Sequence, residues 1–365
     1  MGQEDWRVGA GLLAALLLLV AAGISSLRTA TTRPPVAKPP VMVTTHPLEI
    51  IGYFDNGWSE EFPDSFPDAR DHANELSEIL AFWYSIGGDG AIVTDSSRPQ
   101  VLQYFKNRNV KFGILANNKK GAGESNSSML TDPQARSRAI GNLVDVVQRN
   151  GYSSVNIDFE LIPPESNVGL TKLVCGLRDA LPKGVGLSVA VFPPLDVDPE
   201  INGAYDYKAL SDCSDYLVVM LYDFYHPGGI PGPISPNPWV QRNIDHLLRM
   251  GIPAQKLVLA AGLYGRDWTS SGGEPQERTL SAILQLARDK GLTIRRERVS
   301  QNPYLEYTDE QGVHHSIWFQ DDLMLKQRLE LAQARNLRGV ALWRLGFEPP
   351  STWEVIRAHV GKPKT

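Results

Sequence analysis

The sequence predicts an α/β protein whose main domain is a (β/α)8 barrel. From residue 47 onward, short apolar segments alternate with amphipathic stretches of helical length, and there are eight such segments. Eight strands alternating with helices over about 300 residues is the pattern of a (β/α)8 barrel. Many of the helical stretches end in Gly or Asn just before the next strand, as helices do in βα units.

The eight predicted strands are residues 48–54, 78–86, 110–117, 153–160, 184–192, 215–224, 255–265 and 338–346. A doubly wound open sheet would show the same alternation and is the alternative fold. The chain contains neither a G-x-G-x-x-G motif nor a P-loop, the signatures of nucleotide-binding sheets. The closed barrel is therefore favoured.

The segment between Tyr264 and Arg338 is too long for a simple βα loop. It holds one helical stretch and three strand-like pieces, the last two separated by the turn sequence DEQG. We predict a small α+β insertion at about 266–320, between the seventh and eighth strands. On a barrel it would rise from the C-terminal face, where barrel enzymes place their chemistry.

The N-terminal residues do not fit this pattern. Residues 8–27 contain no charge and are long enough to span a bilayer as a helix, and longer than a usual signal-peptide core. We predict a transmembrane anchor or signal segment at 1–28 and an extended Thr/Pro-rich stalk at 29–46. The catalytic domain would then occupy residues 47–365.

Composition excludes several classes of function. Charged residues make up 21% of the chain, the formal net charge is −5, and no basic block suggests a nucleic-acid partner. No CxxC motif or His-rich segment indicates a metal site, and no cofactor or obligate protein partner is predicted. For Cys175 and Cys213 we favour two separate buried thiols, with a single disulfide as the alternative.

The fourth predicted strand carries an unusual polar face. Residues 153–164 read SSVNIDFELIPP, and a period of two places three apolar side chains on one face and Asn156, Asp158 and Glu160 on the other. In a barrel the polar face would point to the interior, where an unpaired polar group costs roughly 1–3 kcal/mol. Such a row indicates function. The alternative is an edge strand with its polar face in water.

Asp158 and Glu160 would lie roughly 7 Å apart along the strand. Carboxylates this close repel each other, which raises the pKa of one of them. Glu160 faces the loops at the carboxyl end, so we expect it to be a protonated general acid above an ionised Asp158. This arrangement suits acid-assisted cleavage of a glycosidic bond.

Three segments in chain order resemble family 18 glycoside hydrolases, the chitinase-like enzymes. VNIDFE at 155–160 resembles the Asp-Gly-x-Asp-x-Asp-x-Glu signature of strand four, although the Asp-Gly is Ser153-Ser154 here and the first inner Asp is Asn156. MLYDF at 220–224 resembles the Met-x-Tyr-Asp of strand six, and GVALWRLG at 339–346 the strand-eight segment. The resemblance covers about residues 47–350 and is greatest to the bacterial spore-cortex-lytic N-acetylglucosaminidases.

The resemblance implies substrate-assisted catalysis, in which the substrate's own 2-acetamido oxygen is the nucleophile. Glu160 would protonate the leaving oxygen and later activate water, Asp158 would orient the acetamide, and Tyr222 would donate a hydrogen bond to it. The expected substrate-binding residues are Asn156, Met220, Asp223, Trp343, Tyr264 and Asn56, with Trp343 stacking under the sugar.

The leading functional hypothesis is a hydrolase of β-linked N-acetylglucosamine polymers, with peptidoglycan as the first substrate and chitin as the second. A glycan-binding lectin on the same barrel is one alternative, although lectins of this family typically lack the acid. A barrel glycosidase without acetamido participation is the other.

The flanking charges conflict with this function. Arg28, Arg33 and Lys38 follow the apolar segment and only Arg7 precedes it, so the positive-inside rule places the barrel in the cytoplasm. The proposed polymers lie outside the membrane. We give the inferred function precedence and expect an extracytoplasmic protein of the bacterial cell envelope, membrane-anchored or secreted.

Overall fold

Eight parallel strands surround the centre of the domain in the computed structural model, which describes residues 47–108, 110–120 and 124–360. They are β1 (Glu49–Phe54), β2 (Glu78–Ile86), β3 (Lys111–Asn117), β4 (Ser154–Asp158), β5 (Gly186–Val191), β6 (Tyr216–Met220), β7 (Leu257–Gly262) and β8 (Gly339–Trp343). Each strand pairs with its neighbours in chain order, and β1 also pairs with β8. The sheet is therefore a closed barrel, and the open-sheet alternative is wrong.

Helices follow the barrel strands along the chain, and one of them belongs to the insertion between β7 and β8. They are Phe66–Asp71, Pro99–Lys106, Ser128–Thr131, Pro133–Asn150, Asn167–Ala180, Pro199–Asn202, Tyr207–Cys213, Asn237–Arg249, Leu280–Asp289, Asp322–Ala334 and Pro350–Val360. The helix that precedes β4 shows how the sequence sets their limits. The Asp132 side chain accepts a hydrogen bond from the backbone N–H of Gln134, Pro133 occupies the first turn, and Gly151 ends the helix with φ of 66°.

The side chains of β4 alternate as predicted, with the apolar ones toward the helices and the polar ones toward the barrel interior. Val155 and Ile157 belong to the apolar layer between the strands and the helices, whereas Asn156 pairs in register with Leu115, which faces the barrel interior. Asn156 and Asp158 are buried there. Because β4 lies between β3 and β5, the edge-strand alternative is wrong. The strand ends at Asp158, two residues earlier than predicted, so Glu160 lies in the following loop.

The lower half of the barrel interior contains a buried carboxyl group. Glu78 accepts hydrogen bonds from the hydroxyls of Ser154 and Tyr216, and burial raises its pKa. Above it, the Asn156 amide donates to the Ser188 hydroxyl at 2.8 Å. Hydrogen bonds to these groups offset part of the cost of burying them.

The insertion after β7 is present and begins at Tyr264, two residues earlier than predicted. It is a five-stranded antiparallel sheet whose spatial order is Gln276–Thr279, Tyr264–Thr269, His314–Phe319, Pro303–Thr308 and Arg295–Arg296. The helix Leu280–Asp289 packs on this sheet through a small core of its own, which includes Ile283, Leu305 and Ile317.

The predicted transmembrane segment and stalk lie outside the described residues. Within the ranges that the structure describes, no helix has both the length and the apolar character that crossing a bilayer requires.

The two cysteines form a disulfide, so the favoured interpretation as separate buried thiols is wrong. Cys175 lies on the helix Asn167–Ala180 and Cys213 ends the helix Tyr207–Cys213, with 4.9 Å between their Cα atoms. These helices follow β4 and β5, so the barrel places them side by side. That adjacency depends on tertiary packing, which the cysteine spacing does not reveal.

We expect the double substitution C175S/C213S to lower the free energy of unfolding by about 2–4 kcal/mol, because the bridge closes a 38-residue loop in the unfolded chain. Urea denaturation with and without a reductant measures this. The reductant should shift the midpoint of the wild type and leave that of the double variant unchanged. Two reactive thiols in the unreduced, unfolded wild type would contradict the bridge.

Candidate active site

A cavity of about 530 Å³ opens at the carboxyl ends of the barrel strands. Of the residues predicted as catalytic or substrate-binding, those that line the cavity are Asp158, Glu160, Met220, Tyr222, Asp223, Tyr264 and Trp343. They come from the ends of three strands that lie far apart in the sequence, β4, β6 and β8, and from the first strand of the insertion. Barrel closure brings them together, because all parallel strands end at the same rim.

Glu160 is held from β3 as well as from β4. Its backbone N–H donates to Asn118 Oδ1 and its carbonyl accepts from Asn118 Nδ2, both at 3.0 Å. The Nζ atom of Lys119 lies 3.8 Å from Glu160 Oε2. Neither Asn118 nor Lys119 was among the predicted site residues. Neither contact has a signal in the sequence, because both depend on how the loop after β3 faces β4.

Burial controls the proton affinity of the two carboxyls. Asp158 is only 3% exposed, and its pKa is raised well above the ordinary value by burial and then by the charge of Glu160. The Glu160 side chain is 22% exposed; burial raises its pKa, whereas Lys119 lowers it. Burial therefore favours the neutral form of Asp158 more strongly. Burial raises the pKa of both carboxyls, so an ionised Asp158 below a protonated Glu160 stays a prediction.

Tyr222 and Asp223 follow the end of β6. Burial raises the pKa of Tyr222, so its hydroxyl remains protonated and is available as a hydrogen-bond donor. Its ring makes an edge-to-face contact with Tyr264, with 6.0 Å between the ring centroids. Asp223 adopts a left-handed backbone conformation with φ of 55°.

The Asp223 carboxylate forms a bidentate ion pair with Arg266, with N–O distances of 3.0 and 2.7 Å. Arg266 Nη1 also lies 3.4 Å from Glu277 Oε2. Arg266 and Glu277 are directly opposite each other on adjacent strands of the insertion, and both line the cavity. Glu277 was not predicted from the sequence, because strand register was required to find it.

Trp343 ends β8 and forms part of the aromatic floor of the cavity. It makes edge contacts with Tyr53 from β1, at a centroid distance of 5.4 Å, and with Phe82 from β2, at 6.0 Å. Because Trp343 also lines the cavity, its indole is available for a sugar ring to stack on.

Two of the predicted substrate-binding residues do not line the cavity. Asn156 is buried beneath Asp158 and bonds Ser188. Asn56 donates to the Ser96 carbonyl at 2.8 Å and accepts from the Trp83 indole at 3.1 Å, so it joins the loop after β1 to residues in and after β2. The structure thus places both amides in supporting positions.

The wall beyond Asp158 and Glu160 was not predicted in detail. It consists of Phe192, Asp196, Val197 and Asp198 after β5, with His226 and Pro227 after β6. Across the described ranges, no group of three or more His, Cys, Asp or Glu side chains is arranged to hold a metal ion.

Because the folded protein raises the pKa of Asp158, ionisation of this group opposes folding. The cost is absent below the unfolded pKa and grows as the pH rises through the window up to the folded pKa. We expect D158N to raise the Tm at pH 7 by roughly 2–5 °C and to lose this advantage near pH 4. Thermal melts across this pH range measure the effect.

The surface substitution D179N provides the control for this pH series, because Asp179 is exposed on an outer helix. A D158N variant less stable than the wild type at pH 7 would contradict the burial argument.

Comparisons with known proteins agree with this geometry. The family model described as Glycosyl hydrolases family 18 matches residues 49–348, which include all eight barrel strands. The cortical fragment-lytic enzyme of Bacillus subtilis (strain 168) is 29% identical over 299 residues, covering 79% of this chain and 69% of the relative. That of Bacillus cereus is 27% identical over 323 residues, covering 86% of this chain and 75% of the relative.

Solved structures share the fold. The spore cortex-lytic enzyme of Bacillus cereus superposes with a TM-score of 0.78 at 24% identity, covering 87% of this chain and 75% of that one. A chitinase from Chromobacterium violaceum ATCC 12472 gives 0.77 at 22% identity, covering 86% and 99%. The extent of the family match over a closed barrel, with an acidic cavity at its rim, leads to one conclusion: the chain belongs to glycosyl hydrolases family 18 and is a glycosidase.

Proposed function

We propose that the protein hydrolyses β-linked N-acetylglucosamine polymers by a substrate-assisted, retaining mechanism with Glu160 as general acid and base. The observation that supports this proposal is the convergence of Glu160, Asp158 and Tyr222 on one cavity that Trp343 also lines. An acid, a second carboxyl, a hydroxyl donor and an aromatic face are the groups that this mechanism uses.

In the first step the acetamido oxygen of the bound sugar attacks its own anomeric carbon, and the glycosidic C–O bond breaks. Glu160 transfers its proton to the leaving oxygen, and the resulting carboxylate later removes a proton from the water that opens the oxazolinium ring. Asp158 accepts a hydrogen bond from the acetamide N–H and stabilises the developing positive charge, while the Tyr222 hydroxyl donates a hydrogen bond to the acetamide oxygen and keeps its proton.

A bound substrate would also change the pKa of Asp158. In the empty cavity burial favours its neutral form. A positively charged oxazolinium beside this carboxyl would favour the ionised form, because an opposite charge in a buried site lowers the pKa of an acid. The stabilisation is then greatest when the substrate carries its charge, which is the condition for catalysis.

For the substrate we propose peptidoglycan first and chitin second. Similarity to cortical fragment-lytic enzymes supports the former, and similarity to a chitinase fold supports the latter. The barrel would act outside the cytoplasm, in the bacterial cell envelope, with the N-terminal segment as a membrane anchor or signal.

The disulfide supports this location independently. Disulfides persist in oxidising compartments and are rare in the cytoplasm of mesophiles. The Cys175–Cys213 bridge therefore favours an extracytoplasmic barrel over the orientation that the charges around residues 8–27 imply.

Incubation of the full chain with chitin oligomers and with peptidoglycan, with products identified by mass, tests the proposal. We expect cleavage next to N-acetylglucosamine, inhibition by a thiazoline mimic of the oxazolinium, and a loss of about 10²–10⁴-fold in kcat for E160Q.

E165Q is the matched control, because Glu165 is exposed five residues further along and does not line the cavity. It should retain the wild-type rate. Binding of both polymers without products, unchanged in E160Q, would instead indicate a lectin, and cleavage of plain glucans without thiazoline inhibition would indicate a glycosidase that needs no acetamide.

A further inference from the structure

Asn117, Asn118 and Lys119, the residues at the end of β3 and directly after it, converge on Glu160. The Asn117 side chain accepts a hydrogen bond from the backbone N–H of Lys119 at 2.9 Å, which fixes the turn. The next two side chains then point toward the segment after β4 and make different contacts with Glu160. One binds its backbone and the other approaches its carboxylate.

Asn118 binds the backbone of Glu160 with both ends of its amide. It is completely buried, and the two hydrogen bonds measure 3.0 Å each. On the preceding residue, the carbonyl of Phe159 accepts a hydrogen bond from the Tyr205 hydroxyl at 2.7 Å. These contacts matter because Glu160 lies beyond the last residue of β4 and no longer belongs to the strand ladder.

The backbone changes direction immediately after Glu160. Leu161 has a left-handed conformation with φ of 51°, which costs a residue with a branched side chain on the order of 1 kcal/mol. A segment under this strain keeps one conformation only when the surrounding groups fix it. Asn118 supplies two of the hydrogen bonds that do so.

Lys119 contacts the other end of Glu160. Its Nζ atom lies 3.8 Å from Glu160 Oε2, and the side chain lines the cavity. Among the described residues, Lys119 is the one cationic side chain that lies within ion-pair distance of the Glu160 carboxylate. The other titratable groups facing Glu160 are acidic or phenolic: Asp158 from β4, Asp223 after β6, and Tyr53, Tyr205 and Tyr222.

We propose that Asn118 and Lys119 are positioning residues for the general acid, Asn118 fixing the backbone of Glu160 and Lys119 setting the charge state of its carboxyl. This inference depends on the proposed role of Glu160 as acid and base. The two residues act on different parts of Glu160, so their substitutions have different kinetic signatures.

Loss of the Asn118 amide frees the backbone and leaves the charges unchanged. Because Asn118 does not line the cavity, N118A should lower kcat by roughly 10–100-fold, as expected for a misplaced catalytic group, and leave KM and the pH profile unchanged.

Loss of the Lys119 charge should change the pH profile, which loss of the Asn118 amide leaves unchanged. Lys119 lowers the pKa of Glu160 against the effect of burial, so K119M raises that pKa. The protonated acid then persists to higher pH, and the carboxylate needed to activate water forms only at higher pH. Both limbs of the pH–rate profile should move to higher pH, and K119R, which keeps the charge, should retain the wild-type profile.

The experiment measures kcat, KM and pH–rate profiles of the full chain with a chitin oligomer. Two control variants match the changes. Asn243 is also completely buried and clamps the backbone N–H and carbonyl of Leu195 on the wall after β5, so N243A should lower the Tm as N118A does and lower kcat much less. K326M removes a surface lysine that pairs with Glu330 and should leave the profile unchanged.

Two measurements do not require turnover. Carbon-13 NMR of labelled glutamate carboxyls, with Glu160 assigned through E160Q, should show a higher titration midpoint in K119M. Amide hydrogen exchange at Glu160 should accelerate in N118A. If the wild type cleaves no substrate, the proposed function fails, and these two measurements still decide the positioning roles.

A wild-type pH profile and an unchanged Glu160 titration in K119M would overturn the role of Lys119. A kcat of N118A no lower than that of N243A, or an unchanged amide exchange rate at Glu160, would overturn the role of Asn118.

Discussion

The burial of two carboxyl groups at the carboxyl end of β4 is the constraint on which the site depends. An ionised carboxylate away from water is unfavourable, and the fold compensates for it incompletely, with Lys119 against Glu160 and no ion pair to Asp158 among the described residues. The remaining cost must be met by the rest of the domain. Closure of the barrel provides this stability, because every strand has two hydrogen-bonded neighbours and an apolar outer face.

The same burial makes the two carboxyls able to hold a proton and to interact strongly with a developing charge. A carboxyl in a polar, solvated position would be ionised and would interact weakly with a developing charge, since water would screen it. In the barrel interior both acids hold protons more strongly than usual, and a cationic intermediate would be stabilised by a nearby group with little competing solvent. Stability and reactivity therefore oppose each other at Asp158, as they commonly do at enzyme sites.

Much of the fold could be predicted because its signals are local. Strand and helix periodicity, together with the stop signals at helix ends, identified the eight strands, and the alternation on β4 placed Asn156 and Asp158 toward the axis. The strands that lead to Tyr222 and Trp343 were found in the same way, whereas the roles expected of these two residues came from the resemblance to family 18. In each case the informative residues lie within one element, so no knowledge of tertiary contacts was needed.

The errors and omissions concern contacts between elements. Asn118 and Glu277 were missed because their partners lie on another strand or across a sheet register, and the Cys175–Cys213 bridge depends on two neighbouring helices. Asn56 was expected in the cavity, but the loop after β1 turns its amide toward Trp83. The depth of Asp158 in the barrel could not be predicted either, because strand periodicity gives the direction of a side chain and does not give its burial.

The insertion after β7 also has a consequence for how the domain can change. The bidentate contact of Arg266 with Asp223 crosses from the insertion to the segment that carries Tyr222, and Glu277 holds the guanidinium from the opposite strand. The small sheet is thus a structural part of the catalytic rim. Shortening it, or exchanging it for the corresponding region of a relative, would leave Asp223 without its counter-ion unless Arg266 and Glu277 were kept together.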